Sequence, residues 1–149
     1  MQIRSARFSD STELARLSDE LGYPTTPEAM APRLHHLLAN PGIHSIYVAA
    51  EDPSRLLGWI HVTRRDLLEW EPRAEILGLV VEKTARNGGI GRALVIAAER
   101  WAIEQGFEEI VVRSAVFRQE SHPFYEHIGY ERSKSQHVYH RRIVNKVAT

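Results

Sequence analysis

Cysteine is absent from this chain of 149 residues. Disulfides, cysteine-ligated zinc and thiol nucleophiles are therefore excluded, and the composition is compatible with a reducing cytoplasm. An excess of charge of one sign is absent too, because 19 lysine and arginine residues balance 19 aspartate and glutamate residues. A dedicated nucleic-acid-binding protein normally carries a strongly basic face, so we expect no nucleic-acid partner.

Long apolar runs are also missing. No segment approaches the ~20 apolar residues that a membrane-spanning helix requires, and residues 1–7 contain no apolar stretch behind a basic leader. These features predict a soluble cytoplasmic protein without a membrane partner. The length and the ordinary apolar content predict one domain, residues 1–149, with its own hydrophobic core.

Apolar periodicity predicts strands and helices that alternate along the chain. Segment Ala74–Val81 is almost continuously apolar, which is typical of a central strand covered on both faces. The predicted strands are Ile3–Phe8, Ser45–Ala50, Leu56–Val62, Ala74–Val81, Ile110–Val112 and Gln136–Val144. The order β-α-α-β-β-β-α-β-α-β predicts an α/β fold (α+β mixed) in which helices flank a single twisted mixed sheet.

Polar and glycine residues mark the ends of the predicted helices. Asp10 and Glu13 are typical of a capping box at the start of the first helix. Thr26 and Pro27 suit the N-cap and first position of the second helix. Three glycines are expected to end helices: Gly22, Gly106 and Gly129.

A glycine-rich loop, Glu82–Gly89, joins the central strand to the next helix. Unpaired N–H groups and the helix dipole at such a site favour phosphate, and Arg86 and Arg92 add positive charge. The loop is not a P-loop, because no Gly-Lys-Ser/Thr follows. It departs from a dinucleotide fingerprint because Leu94 stands where the third glycine is required. The alternative that the glycines only form a tight turn stays open at this point.

Three motifs follow one another at a specific spacing. They are the apolar strand 74–81, the loop Arg86-x-x-Gly89-x-Gly91, and the sequence His-x-Phe-Tyr-Glu-x-x-Gly-Tyr at 122–130. In this combination the chain resembles the GNAT superfamily of acyl-CoA-dependent N-acetyltransferases, from Ile3 to the last predicted strand. The resemblance implies a GNAT-like fold and an enzyme that uses acetyl-CoA as acyl donor, without a metal.

The resemblance also implies how CoA is bound. The pyrophosphate would lie on the loop N–H groups, and the pantetheine arm would pair with the end of the central strand. Gly78 would suit a bulge that splays the strand and admits the thioester. The implied cofactor-binding residues are Leu79, Val80, Val81, Arg86, Asn87, Gly88, Gly89, Ile90, Gly91 and Arg92.

Two catalytic residues are implied by the same resemblance. Tyr125 matches a tyrosine that faces the CoA sulfur and acts as general acid; the alternative is a tyrosine that packs against the sheet. Glu75 matches a glutamate that removes a proton from the amine, often through water. A surface ion pair with Arg73 is the alternative for Glu75. The histidines, among them His122 before Phe-Tyr, predict no metal site, because neither cysteine nor a His-Glu-x-x-His helix accompanies them.

The acceptor amine is expected between the turn of the first two helices and the last strands. Candidate residues are Tyr23, Trp59, His61, Trp70 and Ser114; aromatic rings among them could hold a cation. Glu69 and Glu71 could attract a basic amine. The acceptor is a small-molecule or peptide amine that the sequence does not identify, and a homodimer is possible. Two other functions stay open: a non-catalytic acyl-CoA-binding sensor and a nucleotide- or phosphate-binding protein.

Overall fold

The computed structural model of the protein describes residues 1–113 and 121–143. The chain forms two compact units, Met1–Arg113 and Ser114–Thr149, and each is described here by itself. The first unit holds a mixed sheet with helices, and the described part of the second, residues 121–143, holds one short helix. A single domain over 1–149 stays a prediction.

The strands of the first unit lie in the order in which they occur in the chain. They are β1 (Gln2–Ser5), β2 (His44–Asp52), β3 (Arg55–Arg65), β4 (Arg73–Val81) and β5 (Ile110–Val112). The helices are α1 (Ser11–Ser18), α2 (Pro27–Leu38), α3 (Ile90–Glu104) and, in the second unit, α4 (Ser121–His127). β1 to β4 are antiparallel, and β5 runs parallel to β4. The prediction of a mixed sheet flanked by helices is confirmed.

The helices cover both faces of the sheet. Leu17 of α1 and Leu34 of α2 pack with Val48 of β2 in one apolar cluster, and Trp59 of β3 packs against it. Successive residues of a strand point to opposite faces, so Gly58 faces the other way, where it lies next to Leu94 of α3. We call the first the α1–α2 face and the second the α3 face.

Most predicted helix boundaries are confirmed. The Thr26 hydroxyl accepts the Ala29 N–H at 3.1 Å, with Pro27 at the first helical position. Gly22, Gly106 and Gly129 all have positive φ angles, which glycine adopts without strain.

The capping box of the first helix is wrong. Asp10 ends a short 3-10 turn, and its carboxylate accepts from Arg4 and from the Arg7 N–H. Glu13 bonds instead to Arg16 and to the Leu56 N–H. Other partners, of which only the Leu56 N–H is distant in the sequence, have therefore replaced the reciprocal pair that the spacing indicated.

The last predicted strand, Gln136–Val144, is wrong over its described part. Residues 131–143 contain no strand, and all their side chains are exposed. Alternation produces a strand only where a neighbour supplies hydrogen bonds and one face is buried, and neither condition follows from the pattern alone.

Candidate active site

The glycine loop has a backbone suited to an anion. Asn87 and Gly89 adopt left-handed conformations, with φ of +70° and +84°. Gly89 is the N-cap of α3 and supplies no side-chain cap, so the side chain that normally bonds to the first N–H groups of a helix is missing here. N–H groups of the first turn, at Ile90, Gly91 and Arg92, are therefore available to an anion.

Arg86 anchors this loop to the end of β4. Its Nε donates to the Val81 carbonyl at 3.1 Å, and its Nη2 lies 3.6 Å from the Glu20 carboxylate. The guanidinium is half exposed, so it adds positive charge at the loop while it holds the loop in place.

Glu82 fixes the point where the loop begins, a role that the sequence analysis missed. Its buried carboxylate accepts from Arg16 of α1 at 2.7 Å and from Arg55 of β3 at 2.8 Å. The Arg16 hydrogen bond, helped by the charge of Arg55, lowers the pKa of Glu82. The sequence did contain a signal for this role. A carboxylate that directly follows an apolar strand is expected to be partly buried, and a buried charge requires partners of opposite charge.

Within the first unit, the end of β4 has a backbone edge with which no strand pairs. The Glu82 N–H donates to the Leu57 carbonyl at 2.8 Å. Because hydrogen-bonded and non-hydrogen-bonded pairs alternate along antiparallel strands, the N–H and C=O groups of Leu79 and Val81 point away from β3. On that side β5 pairs with β4 only as far as Ile76, so no strand of the first unit covers them. The groups of Val80, by the same alternation, face β3.

A bulge lies at the point where this open edge begins. His61 pairs with Gly78 and Val62 pairs with Ile76, so Leu77 has no opposite residue in β3. Leu77 is also 48% exposed although β4 is otherwise a largely buried strand. The expected irregularity beside Gly78 is therefore present, one residue earlier in the strand.

Gly78 makes room for the indole of Trp59. A Cβ on Gly78 would lie 2.8 Å from Cζ3 and 2.9 Å from Cη2 of Trp59. Real Cβ atoms do not come so close to a ring, so the indole can occupy this place beside β4 only because residue 78 is glycine. Trp59 Nε1 is buried and has no hydrogen-bond partner in the described part of the chain.

Replacing Gly78 with alanine is expected to destabilise the protein by roughly 1–3 kcal/mol, because the new methyl group overpacks against the indole. Gly42→Ala is the matched control, since a Cβ there meets no atom within 4 Å. Urea unfolding of both variants measures the difference. Equal stability of the two variants would show that the Trp59 ring moves aside freely.

His61 and His44 form a pair on the α1–α2 face. Nδ1 of His44 lies 3.0 Å from Nε2 of His61, a hydrogen-bonding distance for which one ring donates. Burial, together with the charge of His44, lowers the pKa of His61 to about 4. Burial and the charge of His36 also lower the pKa of His44. His61 is therefore neutral at pH 7.

The free energy of unfolding is expected to fall as the pH drops from about 6.5 to about 4. Over this range the unfolded chain binds a proton at residue 61 while the folded protein does not. The contribution of His61 to the free energy of unfolding is complete above pH 6.5, and its loss once the pH falls below about 4 is on the order of 3 kcal/mol. Urea unfolding at pH 7, 6 and 5 measures it.

In that series the free energy of unfolding of the His61→Gln variant should depend less on pH than that of the unsubstituted protein. His140→Gln controls for loss of a histidine as such, because residue 140 is exposed. A pH dependence unchanged by His61→Gln would assign the loss of stability to other groups.

Glu75 is buried within the sheet, with its side chain only 5% exposed. Its carboxylate oxygens accept from Arg65 Nη1 at 3.1 Å and from Arg113 Nη1. The alternative of a surface pair with Arg73 is therefore wrong. Glu75 lies opposite Thr63 in the β3–β4 register. Thr63 follows His61 by two residues and Trp59 by four along β3, so these three side chains point to the same face, the α1–α2 face. Glu75 therefore lies on that face as well.

The other acceptor candidates are separated. Tyr23 is 66% exposed after the α1–α2 turn. Trp70 is 56% exposed, and its ring is already covered by the guanidinium of Arg73, 5.3 Å from the ring centroid. Ser114 lies outside the described residues. The structure thus brings Trp59, His61 and Glu75 together on one face.

Tyr125 lies in α4 of the second unit. Its ring is half-buried and contacts Phe124 and Tyr130, with centroid distances of 5.2 and 5.9 Å. The Tyr130 N–H donates to the Tyr125 carbonyl at 2.9 Å, so the helix end and the ring contacts hold the tyrosine in place. The side chain of His122 lies outside the described part.

Neither a metal site nor a transmembrane helix is found in the parts that the structure describes. Residues 1–113 and 121–143 contain no group of three or more histidine, aspartate or glutamate side chains that could hold a metal ion. Over the same ranges, every helix is too short or too polar to cross a bilayer.

Comparisons with known proteins agree with this geometry. A model described as the acetyltransferase (GNAT) family matches residues 11–130. No curated protein sequence matches the chain.

Solved structures share the fold at low sequence identity. An aminoglycoside 6′-N-acetyltransferase from Acinetobacter haemolyticus is 19% identical with a TM-score of 0.81, over 97% of this chain and 100% of that one. A GNAT family acetyltransferase from Staphylococcus aureus is 20% identical with a TM-score of 0.77, over 94% and 98%. AAC(6')-Iy in complex with the bisubstrate analogue CoA-S-monomethyl-acetylneamine is 18% identical with a TM-score of 0.83, over 95% and 98%.

The family model covers well over half of the chain and includes β4, the glycine loop, α3 and the Phe-Tyr motif of α4. The chain therefore belongs to the GNAT family of acetyltransferases, and the acyltransferase class predicted from its sequence is confirmed.

Proposed function

We propose that the protein transfers the acetyl group of acetyl-CoA to a primary amine by direct attack within a ternary complex. One observation supports this most strongly. An uncapped, left-handed loop follows directly on an open strand edge, so a phosphate site and a backbone site for an extended chain adjoin. CoA consists of a pyrophosphate joined to an extended pantetheine arm and needs both sites in that order.

The donor is assigned residue by residue. The N–H groups between Asn87 and Arg92 bind the pyrophosphate. The outward N–H and C=O groups of Leu79 and the outward N–H of Val81 bond to the amides of pantetheine, since the Val81 carbonyl already accepts from Arg86. Val80 makes no backbone hydrogen bond to pantetheine, because its N–H and C=O groups face β3. Its part is to hold Leu79 and Val81 in the strand. Solved neighbours of the same fold hold CoA or a CoA-linked bisubstrate analogue, which supports this assignment.

The chemistry needs a neutral amine and a stabilised leaving group. The amine nitrogen attacks the thioester carbon; the C–N bond forms and the C–S bond breaks. Tyr125 donates a proton or hydrogen bond to the departing sulfur, and Glu75 takes a proton from the amine nitrogen through water. Since both Glu75 oxygens already accept from arginines, direct contact between this carboxylate and the amine is unfavourable, and a bridging water is the better route.

The acceptor site lies on the α1–α2 face next to the bulge. Trp59 and His61 supply its wall. Tyr23, Trp70 and Ser114 stay candidates from the sequence. Aminoglycoside acetyltransferases are among the solved neighbours, which supports a small-molecule amine as acceptor.

Calorimetric titration with acetyl-CoA, CoA and ATP tests the donor. We expect micromolar binding of acetyl-CoA and CoA and none of ATP, because ATP lacks the pantetheine arm. An amine library with detection of released thiol then tests the transfer. Absence of acetyl-CoA binding would contradict the donor site, and binding without turnover of any amine would instead favour the acyl-CoA sensor.

A further inference from the structure

Three arginines lie near Glu75 at the ends of neighbouring strands, and two of them bond to its carboxylate. Arg65 ends β3, Arg73 begins β4, and Arg113 directly follows β5. Arg65 and Arg73 are opposite one another in the sheet register, and Arg65 and Arg113 both bond to the Glu75 carboxylate. We call these four residues the arginine cluster; by strand alternation it lies on the α1–α2 face with His61 and Trp59.

Over the residues that the structure describes, three guanidinium groups of the arginine cluster meet two carboxylates. Glu75 bonds to Arg65 and Arg113, and Glu109 lies 4.0 Å from Arg73. Arg73 Nε is buried without a hydrogen-bond partner in the described part of the chain. Arg65 commits one nitrogen to Glu75 and leaves 38% of its side chain exposed. Guanidinium groups with unused donors favour a carboxylate or phosphate, which they can bind through two parallel hydrogen bonds.

Nearby acids do not cancel this charge. Asp66 is paired with Arg64, which lies on the α3 face, where its guanidinium covers the Phe107 ring. Glu69 and Glu71 are exposed in the loop between β3 and β4. Charges in water are screened more strongly than charges within a partly buried cluster, so these exposed acids offset the guanidinium groups only weakly.

The arginine cluster lies within reach of the proposed site of transfer. Glu75 is three residues from Gly78 in β4, which corresponds to about 10 Å along a strand. A group bound at Arg65 would therefore belong to the same small acceptor molecule as an amine placed at the bulge.

We propose that the acceptor is an amine that also carries an oxyanion, a carboxylate or a phosphate, and that Arg65 of the arginine cluster selects it. This inference rests on the proposed transferase function. It disfavours polycationic amines such as aminoglycosides, because the cluster repels them.

Matched pairs of acceptors test the inference at saturating acetyl-CoA. Glycylglycine is compared with glycylglycinamide, phosphoethanolamine with ethanolamine, and an aminoglycoside and spermine serve as polycations. We expect kcat/KM to favour at least one anionic member over its neutral partner by about 10–100-fold, the range of one charge-assisted hydrogen bond. The two pairs distinguish carboxylate from phosphate as the bound group.

Arg65→Gln separates recognition from support of the sheet. It should raise KM for the preferred anionic acceptor about 10–100-fold and leave the KM of the neutral partner nearly unchanged. Because Arg65 also bonds to Glu75, any effect on kcat through that carboxylate should be the same for both partners. Arg64→Gln is the matched control on the opposite face and should change neither. Arg65→Lys keeps the charge and should retain part of the preference. A merely structural role would impair both acceptors equally.

The outcomes separate this inference from the proposed function. Preference for the neutral or polycationic amines, or an equal loss for both partners in Arg65→Gln, would overturn the anionic acceptor while the transferase stands. Acetyl-CoA binding without acetylation of either anionic amine would also overturn it. Failure to bind acetyl-CoA at all would instead overturn the proposed function.

Discussion

Tyr125→Phe is expected to lower kcat by about 10²–10⁴-fold, the usual contribution of a positioned acid–base group, with nearly unchanged affinity for acetyl-CoA. The substitution removes only the hydroxyl and keeps the ring that packs on Phe124 and Tyr130. An ordinary tyrosine pKa of about 10 lies above the roughly 8.5 of a thiol, so a hydrogen bond to the developing thiolate is the larger part of the effect.

Thiol release under saturating substrates gives kcat, and calorimetry gives the affinity for acetyl-CoA. Tyr130→Phe is the control, because Tyr130 belongs to the same unit and its ring contacts Tyr125. The control should keep its turnover. A Tyr125→Phe enzyme that turns over normally would remove this hydroxyl from the mechanism.

The elements next to the donor site were the most predictable from the sequence. Ala74–Val81 was expected and Arg73–Val81 is observed, and Ile110–Val112 agrees at both ends. Both segments are short, apolar and bounded by polar or glycine residues, so local pattern and tertiary environment favour the same structure. The glycine loop was predictable because its backbone conformation depends on residues that are adjacent in the chain.

Features that depend on distant residues were not predictable. Arg16 and Glu82 are 66 positions apart, and the arginine cluster joins three strands. The apolar periodicity of a single sequence does not predict which strands become neighbours in the sheet. The capping box at Asp10 failed for the same reason, since a distant Leu56 N–H took the Glu13 carboxylate. The prediction of a strand at Gln136–Val144 was wrong over its described part, because an alternating pattern does not provide a neighbouring strand to pair with.

The sequence predicted that the strand is irregular near Gly78, but it did not predict that Gly78 contacts Trp59. Its neighbour Trp59 comes from another strand, and the two meet only through the β3–β4 register that the bulge shifts. The sequence could therefore locate the bulge without showing which side chain occupies the space above the glycine.

Gly89→Val is expected to weaken acetyl-CoA binding by about 10–100-fold, which corresponds to loss of one or two charge-assisted hydrogen bonds. Gly89 has a φ of +84°, a conformation that a β-branched residue strongly disfavours. A Cβ at Gly89 would meet no atom within 4 Å, so the cause is backbone conformation rather than a clash. When the loop relaxes to negative φ, its N–H groups no longer converge on the pyrophosphate.

Gly106→Val separates this effect from general strain. Gly106 has a nearly equal φ of +86°, also has open space around its Cα, and lies beyond the opposite end of α3. Both variants should unfold at a lower temperature by similar amounts, because both carry the same backbone strain. Only Gly89→Val should lose affinity for acetyl-CoA in calorimetry. Normal binding by Gly89→Val, or an equal loss in Gly106→Val, would count against the loop as the pyrophosphate site.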